Sequence, residues 1–247
     1  MRIPRIFLPQ TLTAGSRVVL EDAASNHLLR VLRLKPGAPV YLFNGAGGEF
    51  EATLSAVERG TAVVTLGAFI DVSRESPLSI TLAQGISRGE RMDYTLQKSV
   101  ELGVSCIIPL ETEFSQVRLE GERRERRRRH WEGVIAGACE QSGRTRLPEL
   151  QPVTSLGDWL VSTSTVAEGL RLVLDPAAET GLSQLQLPPA TRVTLLIGPE
   201  GGLSDREIEQ SRRAGFAGLR LGPRILRTET AGIAALAALQ ALQGDLG

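Results

Sequence analysis

Five short apolar runs, "LSITLAQ", "VSCIIPL", "GLRLVLD", "RVTLLIG" and "FAGLRLG", constrain everything after about residue 72. Each is short for a helix, and each is too continuously apolar for a strand with one face in water. Helical segments separate them. Such runs fit a parallel sheet covered on both faces, so this part of the chain reads as α/β. The intervening helices are expected at Glu90 to Gly103, from about Glu120 to Ser142, at Ser204 to Ala214 and at Thr228 to Gln243.

The chain before that reads differently. "VYLFNGAGGEFEATLSAV" alternates apolar and polar residues around Asn-Gly and Gly-Gly, a hairpin signal, and "TAVVTLGAFI" follows as another strand. "DAASNHLLRVLRL", Asp22 to Leu34, is the one helical pattern, ended by Pro36-Gly37. A small β-barrel-like module with one helix is expected. The polar, proline-marked "DVSRESPLS" puts the boundary between residues 1–72 and 73–247.

No stretch approaches the roughly 18 apolar residues of a membrane span. The opening "MRIPRIFLPQ" does not read as a signal peptide, so a cytoplasmic protein is expected. Cys106 and Cys139 lack C-x-x-C spacing and read as buried thiols, with neither a disulfide framework nor a metal site. The 28 basic residues balance 28 acidic ones, which argues against a cationic coat but not against a local basic face. Arg2, Arg5, Arg30, Arg33 and Lys35 cluster early. "RLEGERRERRRRHW", Arg118 to Trp131, holds seven Arg against three Glu. There, Glu122 with Arg126 and Glu125 with Arg129 have i,i+4 spacing, and a solvated helix is preferred over RNA contact.

The chemistry concentrates at strand ends. In "TLLIGPEGGLSDREIEQ", Ser204 and Glu207 form a capping box, so "GPEGG" is the loop between a strand and a helix. Ligands of open α/β sheets bind beyond the carboxyl ends of strands. The loop matches neither G-x-x-x-x-G-K-[ST] nor G-x-G-x-x-G, and Glu200 would repel a phosphate. It suits a ligand with hydroxyls, an ammonium or another cation. By itself it could equally be a plain turn with a surface glutamate. "LRLGPRILRTETAGIAALAAL" repeats the pattern at Gly222-Pro223, and "LVLDP" ends at Asp175-Pro176. Three such turns can frame one pocket.

"LLIGPEGG", "LGPRILRTETA", "QKSVELGV" and "EQSGR", with the opening "MRIPRIF" and "NHLLRVLRLKPG", resemble the bacterial 16S ribosomal RNA (uracil-N3)-methyltransferases of the SPOUT superfamily. The resemblance spans nearly the whole chain. It implies a PUA-like RNA-binding module, a trefoil knot in the C-terminal domain and S-adenosyl-L-methionine as methyl donor. It further implies a homodimer acting on 16S ribosomal RNA of the small ribosomal subunit. Cofactor contacts are expected at Leu174, Ile197, Gly198, Pro199, Glu200, Gly201, Leu221, Gly222, Leu226 and Thr228. That donor carries a sulfonium and an ammonium and no phosphate, so Glu200 is compatible with it.

Methylation at uridine N3 requires an unpaired base and loss of the N3 proton. Arg227, Glu229 and Arg224 are the candidates. Arg227 could stabilise the uridine anion; Glu229 could accept a proton or order the loop, or be a first-turn carboxylate favoured by the helix dipole. Glu140, Gln141 and Arg144 match "EQSGR" and are expected near the active site or RNA, or else as a polar helix end. Arg2, Arg5, His27, Arg30 and Arg33 are the N-terminal RNA candidates, although His27 could be structural. An RNA-binding protein without catalysis and a ribose 2′-O-methyltransferase remain as alternatives.

Overall fold

The computed structural model describes residues 3–163, 169–186, 188 and 191–247. It divides into two compact units, one of residues up to Glu75 with Ala136–Leu147, the other of Ser76–Ile135 with Pro148–Gly247.

In the first unit, β1 (Arg5–Phe7), β2 (Arg17–Val19), β3 (Pro39–Phe43), β4 (Glu49–Glu58) and β5 (Thr61–Ile70) form one sheet in the order β1-β3-β4-β5-β2. The expected hairpin is β3–β4, antiparallel with Tyr41 opposite Glu51. β4 turns directly into β5 at Arg59-Gly60, both with positive φ, the conformation of a two-residue hairpin turn whose twist matches the strands. Register shifts between Phe50 and Ala52 and between Leu54 and Ala56 bend this long ribbon around a core of Ile6, Leu28, Leu42, Leu54 and Val64.

The helix expected over Asp22–Leu34 is shorter. α1 (Asp22–Asn26) passes into a π-turn at His27–Val31, and Arg33 adopts φ 54°, left-handed, which stops the helix before Pro36 is reached. Leu28 is fully buried, while Val31, Leu32 and Arg33 are exposed.

The second unit is the expected parallel sheet. It comprises β6 (Ser79–Gly85), β7 (Cys106–Glu111), β8 (Glu149–Leu150), β9 (Thr154–Ser155), β10 (Leu170–Leu174), β11 (Arg192–Ile197) and β12 (Ala217–Leu219). The order is β12-β10-β11-β6-β7-β8, with β9 also on β7, and every pairing is parallel. The helices are α2 (Glu90–Glu101), α3 (Gly121–Ser142, whose last turns belong to the first unit), α4 (Leu156–Thr163), α5 (Asp205–Arg213) and α6 (Thr228–Gln243).

α4 has no counterpart in the sequence reading. Ser155 Oγ accepts from Asp158 N at 3.1 Å, and Leu156, Trp159 and Leu160 are buried at i, i+3 and i+4. Trp159 stacks at a tilt on Phe216, 5.7 Å between centroids, within the core that also holds Ala83, Leu110, Val173 and Leu196. Among the described residues, α3 pairs Arg128 with Glu132 at 3.1 Å, Arg124 with Glu111 at 4.0 Å and His130 with Asp93 at 2.7 Å; the pairs suggested at 122/126 and 125/129 do not close. Cys139 is buried and Cys106 half-buried, and both are free thiols.

Candidate active site

The three strand-end turns meet. Residues 174–176 at the end of β10, 197–203 at the end of β11, and 219–222 with 224–226 at the end of β12 line one cavity of about 370 Å³, together with Thr228 and Ala231 of α6. Three neighbouring parallel strands end at the same sheet edge, so their loops converge there.

Close backbone approach explains the glycines. A Cβ on Gly198 would lie 2.5 Å from the Gly202 carbonyl carbon, and one on Gly85 would lie 2.5 Å from Pro199 N. Gly202 has φ 73°, and its N–H donates to Pro199 O at 2.9 Å, closing the loop as a tight turn. The capping box then opens α5: Ser204 Oγ accepts from Glu207 N at 3.3 Å and Glu207 Oε2 from Ser204 N at 3.0 Å.

Beneath the turns lies a buried polar clasp. Thr228 Oγ1 donates to Gly198 O at 2.6 Å and accepts from Gln84 Nε2 at 3.0 Å, while Gln84 Nε2 also donates to Gly85 O at 2.9 Å. Gln84 is fully buried. It ties the end of β6, the glycine loop and the start of α6 into one piece. Sequence reasoning passed over it, because a single glutamine closing an apolar strand carries no local signature.

Glu200 is held at one oxygen and open at the other. Its Oε1 accepts from Arg88 N at 3.0 Å and from the Arg91 guanidinium at 3.2 Å. Its Oε2 is buried and has no hydrogen-bond partner. Burial pushes the carboxyl pKa up, but the bonds from Arg88 N and Arg91 outweigh it and the net shift is downward. The turn therefore carries a fixed negative charge. Asp175 is likewise buried, accepting from Ala177 N at 2.8 Å and from Arg212 at 3.1 Å.

Arg224, Ile225 and Leu226 form the cavity's rim, with Arg224 exposed and Ile225 87% exposed. Arg227, also exposed, is the N-cap position of α6. Glu229, in the first turn of α6, has a buried Oε2 without a partner. Leu221 and Gly222 line the same cavity.

In the first unit, Arg5, His27, Glu140 and Gln141 surround a separate cavity of about 370 Å³. Arg5 is bound to the buried Glu49 at 2.8 Å and lies over the Tyr41 ring. Arg144 is buried against Glu75, its Nε 3.1 Å from Oε1. Glu140 accepts from Phe7 N at 2.9 Å; burial raises its pKa, only partly countered by that bond and by His27. His27, Arg30 and Arg33 are exposed, and Arg2 lies outside the described residues.

A cavity of strand-end loops on a parallel sheet is a ligand site, and comparison with known families gives its class, the RNA methyltransferases. A family model described as an RNA methyltransferase domain matches residues 74–240, and one described as an RNA methyltransferase PUA domain matches 20–67. Within that class the chain belongs to the ribosomal RNA small subunit methyltransferase E family. It is 36% identical over 245 residues to that protein of Buchnera aphidicola subsp. Schizaphis graminum, covering 99% of this chain and 98% of the relative. Its fold matches the Neisseria gonorrhoeae ribosomal RNA small subunit methyltransferase E, solved bound to S-adenosyl methionine, with TM-score 0.90, 39% identity and full coverage of both chains. A Legionella pneumophila methyltransferase solved with the same cofactor matches with TM-score 0.93 and 44% identity, again over both whole chains.

Proposed function

We propose that this chain transfers a methyl group from S-adenosyl-L-methionine to N3 of a uridine in 16S ribosomal RNA of the small ribosomal subunit. The observation that carries the reading is the three-turn cavity with the fixed carboxylate of Glu200 in its glycine loop. The donor set fits the cofactor: tight glycine loops for an uncharged nucleoside, and Glu200 with its open buried oxygen for a cationic amino-acid part. Leu174, Ile197, Gly198, Pro199, Gly201, Leu221, Gly222, Leu226 and Thr228 would hold it. When bound, it supplies an electrophilic methyl on a sulfonium.

The chain's own residues then orient the base and manage one proton. Arg227 stabilises the uridine anion, whose charge is shared by N3, O2 and O4, by donating to it from its guanidinium, with Arg224 beside it on the rim. The open Oε2 of Glu229 is an acceptor for the N3 proton. Residues 1–72 form the RNA-docking module and residues 73–247 the knotted catalytic domain. Among the described residues, Arg30 and Arg33 are exposed cations of the docking module for which no ion pair forms, whereas Arg5 is held by Glu49 and Arg144, of the "EQSGR" segment, by Glu75.

A homodimer built on α6 completes the reading. α6 packs on α2 and β11 of its own chain, and its Ala235, Leu236 and Leu239 are buried. Ile233, Ala234, Ala237 and Ala238 are only partly covered, and Leu242 is 47% exposed. A charge at Ala238 therefore tests the dimer, whereas one at the fully buried Ala235 would disturb the fold itself. Among the described residues no helix is long and apolar enough to cross a membrane. A ribosomal RNA substrate makes the cytoplasm the proposed place of action.

The test is methyl transfer from labelled S-adenosylmethionine to small subunits from cells lacking the modification, followed by nucleoside analysis. The expected product is 3-methyluridine. A 2′-O-methylated nucleoside would favour the ribose alternative, and RNA binding without transfer would favour a non-catalytic protein.

A further inference from the structure

Five of the six arginines of α3 fall into two sets. Arg124 and Arg128 lie on the inward stripe with Trp131 and Ile135: Arg124 donates to Leu119 O at 2.9 Å and approaches Glu111, and Arg128 pairs with Glu132. Arg123, Arg126, Arg127 and His130 follow i, i+3, i+4, i+7 spacing and so share an adjacent stripe. Together with Val117, Arg118 and Leu119 of the preceding loop, they line a groove of about 460 Å³. No carboxylate lines it. Among the described residues, Arg118, Arg123, Arg126 and Arg127 have no acidic partner within salt-bridge distance. His130 Nε2 lies 2.7 Å from Asp93 Oδ2 of α2, which anchors this end of the groove to the second unit.

We propose that this groove is a second docking site for the substrate RNA, gripping its phosphate backbone from the methyltransferase unit itself. The proposal rests on the reading above that the chain methylates ribosomal RNA. Four guanidiniums without an acidic partner lining one groove are complementary to a polyanion, and their forked donors match phosphate oxygens. The chain as a whole is neutral, so this concentration of charge is local. Among the described residues lining the groove, the one ring is the His130 imidazole, already held by Asp93, and the rest are guanidiniums and aliphatic groups, so the groove grips backbone and not sequence. It would set the register of the RNA, leaving choice of nucleotide to the active site.

The test compares the parent with the Arg123→Gln/Arg126→Gln/Arg127→Gln variant in binding unmethylated small subunits at 50 and 200 mM salt. Each lost phosphate contact lowers the slope of log affinity against log salt by about 0.7–0.9. Three lost contacts mean that the parent's fall in affinity over this range exceeds the variant's by about 20- to 40-fold. The triple Lys variant should restore most of the slope, while S-adenosylmethionine affinity and kcat at saturating RNA stay at parent values. Equal salt dependence in parent and Gln variant overturns the proposal. So does a variant whose only defect is loss of the dimer by sedimentation, since the groove would then be a subunit contact. If the triple variant misfolds, the single Arg126→Gln variant decides by the presence or absence of a slope change of about one. A parent that never methylates the subunits would defeat the functional reading instead.

Discussion

Gly198→Ala probes the cofactor loop with one methyl group. The added Cβ would sit 2.5 Å from Gly202 C, 2.9 Å from Gly202 Cα and 2.8 Å from Leu203 N. All three are backbone atoms of the same turn, and none can rotate away. The turn is also clamped, by Gly202 N to Pro199 O at 2.9 Å and by Thr228 Oγ1 to Gly198 O at 2.6 Å. Relief therefore requires the loop to open by roughly half an ångström or more, at an overpacking cost of about 1–3 kcal/mol. Expressed wholly in cofactor binding, that is an increase in Kd of about 5- to 150-fold. Calorimetric titration with S-adenosylmethionine reads the affinity, and thermal unfolding of the free protein reads any share taken by stability. Gly133→Ala is the control: it lies on the exposed face of α3 with nothing within 4 Å of its Cβ, and it should keep full affinity. Parent-like affinity together with parent-like Tm in Gly198→Ala would refute the assignment of this loop to the cofactor.

Gln84→Leu removes the buried donor to Thr228 Oγ1 and Gly85 O, and should cost about 1–3 kcal/mol by denaturant unfolding with cofactor affinity falling alongside. Glu140 has a folded-state pKa raised above its unfolded value, so the stability present below the unfolded pKa is lost as pH rises through the folded one. Glu140→Gln keeps an oxygen for Phe7 N and should raise Tm at about pH 7 while leaving it unchanged at about pH 3; a Tm difference that does not vary with pH would contradict this. Burial pushes the Cys106 thiol to about 11 and the Cys139 thiol to about 12, so both should resist iodoacetamide at pH ~8 in the native protein and react on unfolding.

What the sequence made legible was local, and what it hid was pairing across distance. The apolar runs became the strands of the parallel sheet because continuous burial leaves a continuous apolar string. The turns at Asp175, Gly198 and Gly222 were legible because tight backbone paths demand glycine and proline whatever packs around them. Ser155-x-x-Asp158 before Trp159-Leu160 was an equally local signal for α4 and was there to be read. The π-turn at His27–Val31 was not, since its extra residue per turn leaves the helical spacing of Leu28 and Leu32 nearly unchanged. Charges were the least legible of all. In the sequence, Arg5, Arg144, Arg123 and Arg126 look alike; in the fold, Arg5 faces Glu49 and Arg144 faces Glu75, carboxylates 44 and 69 residues away. Arg123 and Arg126 face an open groove. An arginine's availability to RNA depends on which carboxylates the tertiary fold brings to it, and no periodicity along the chain records that. The same holds for Gln84, whose partners Gly198 and Thr228 are 114 and 144 residues on. Motifs can thus locate a site of this kind, but only the folded pairings decide which of its neighbours hold the loops and which remain free to meet a ligand.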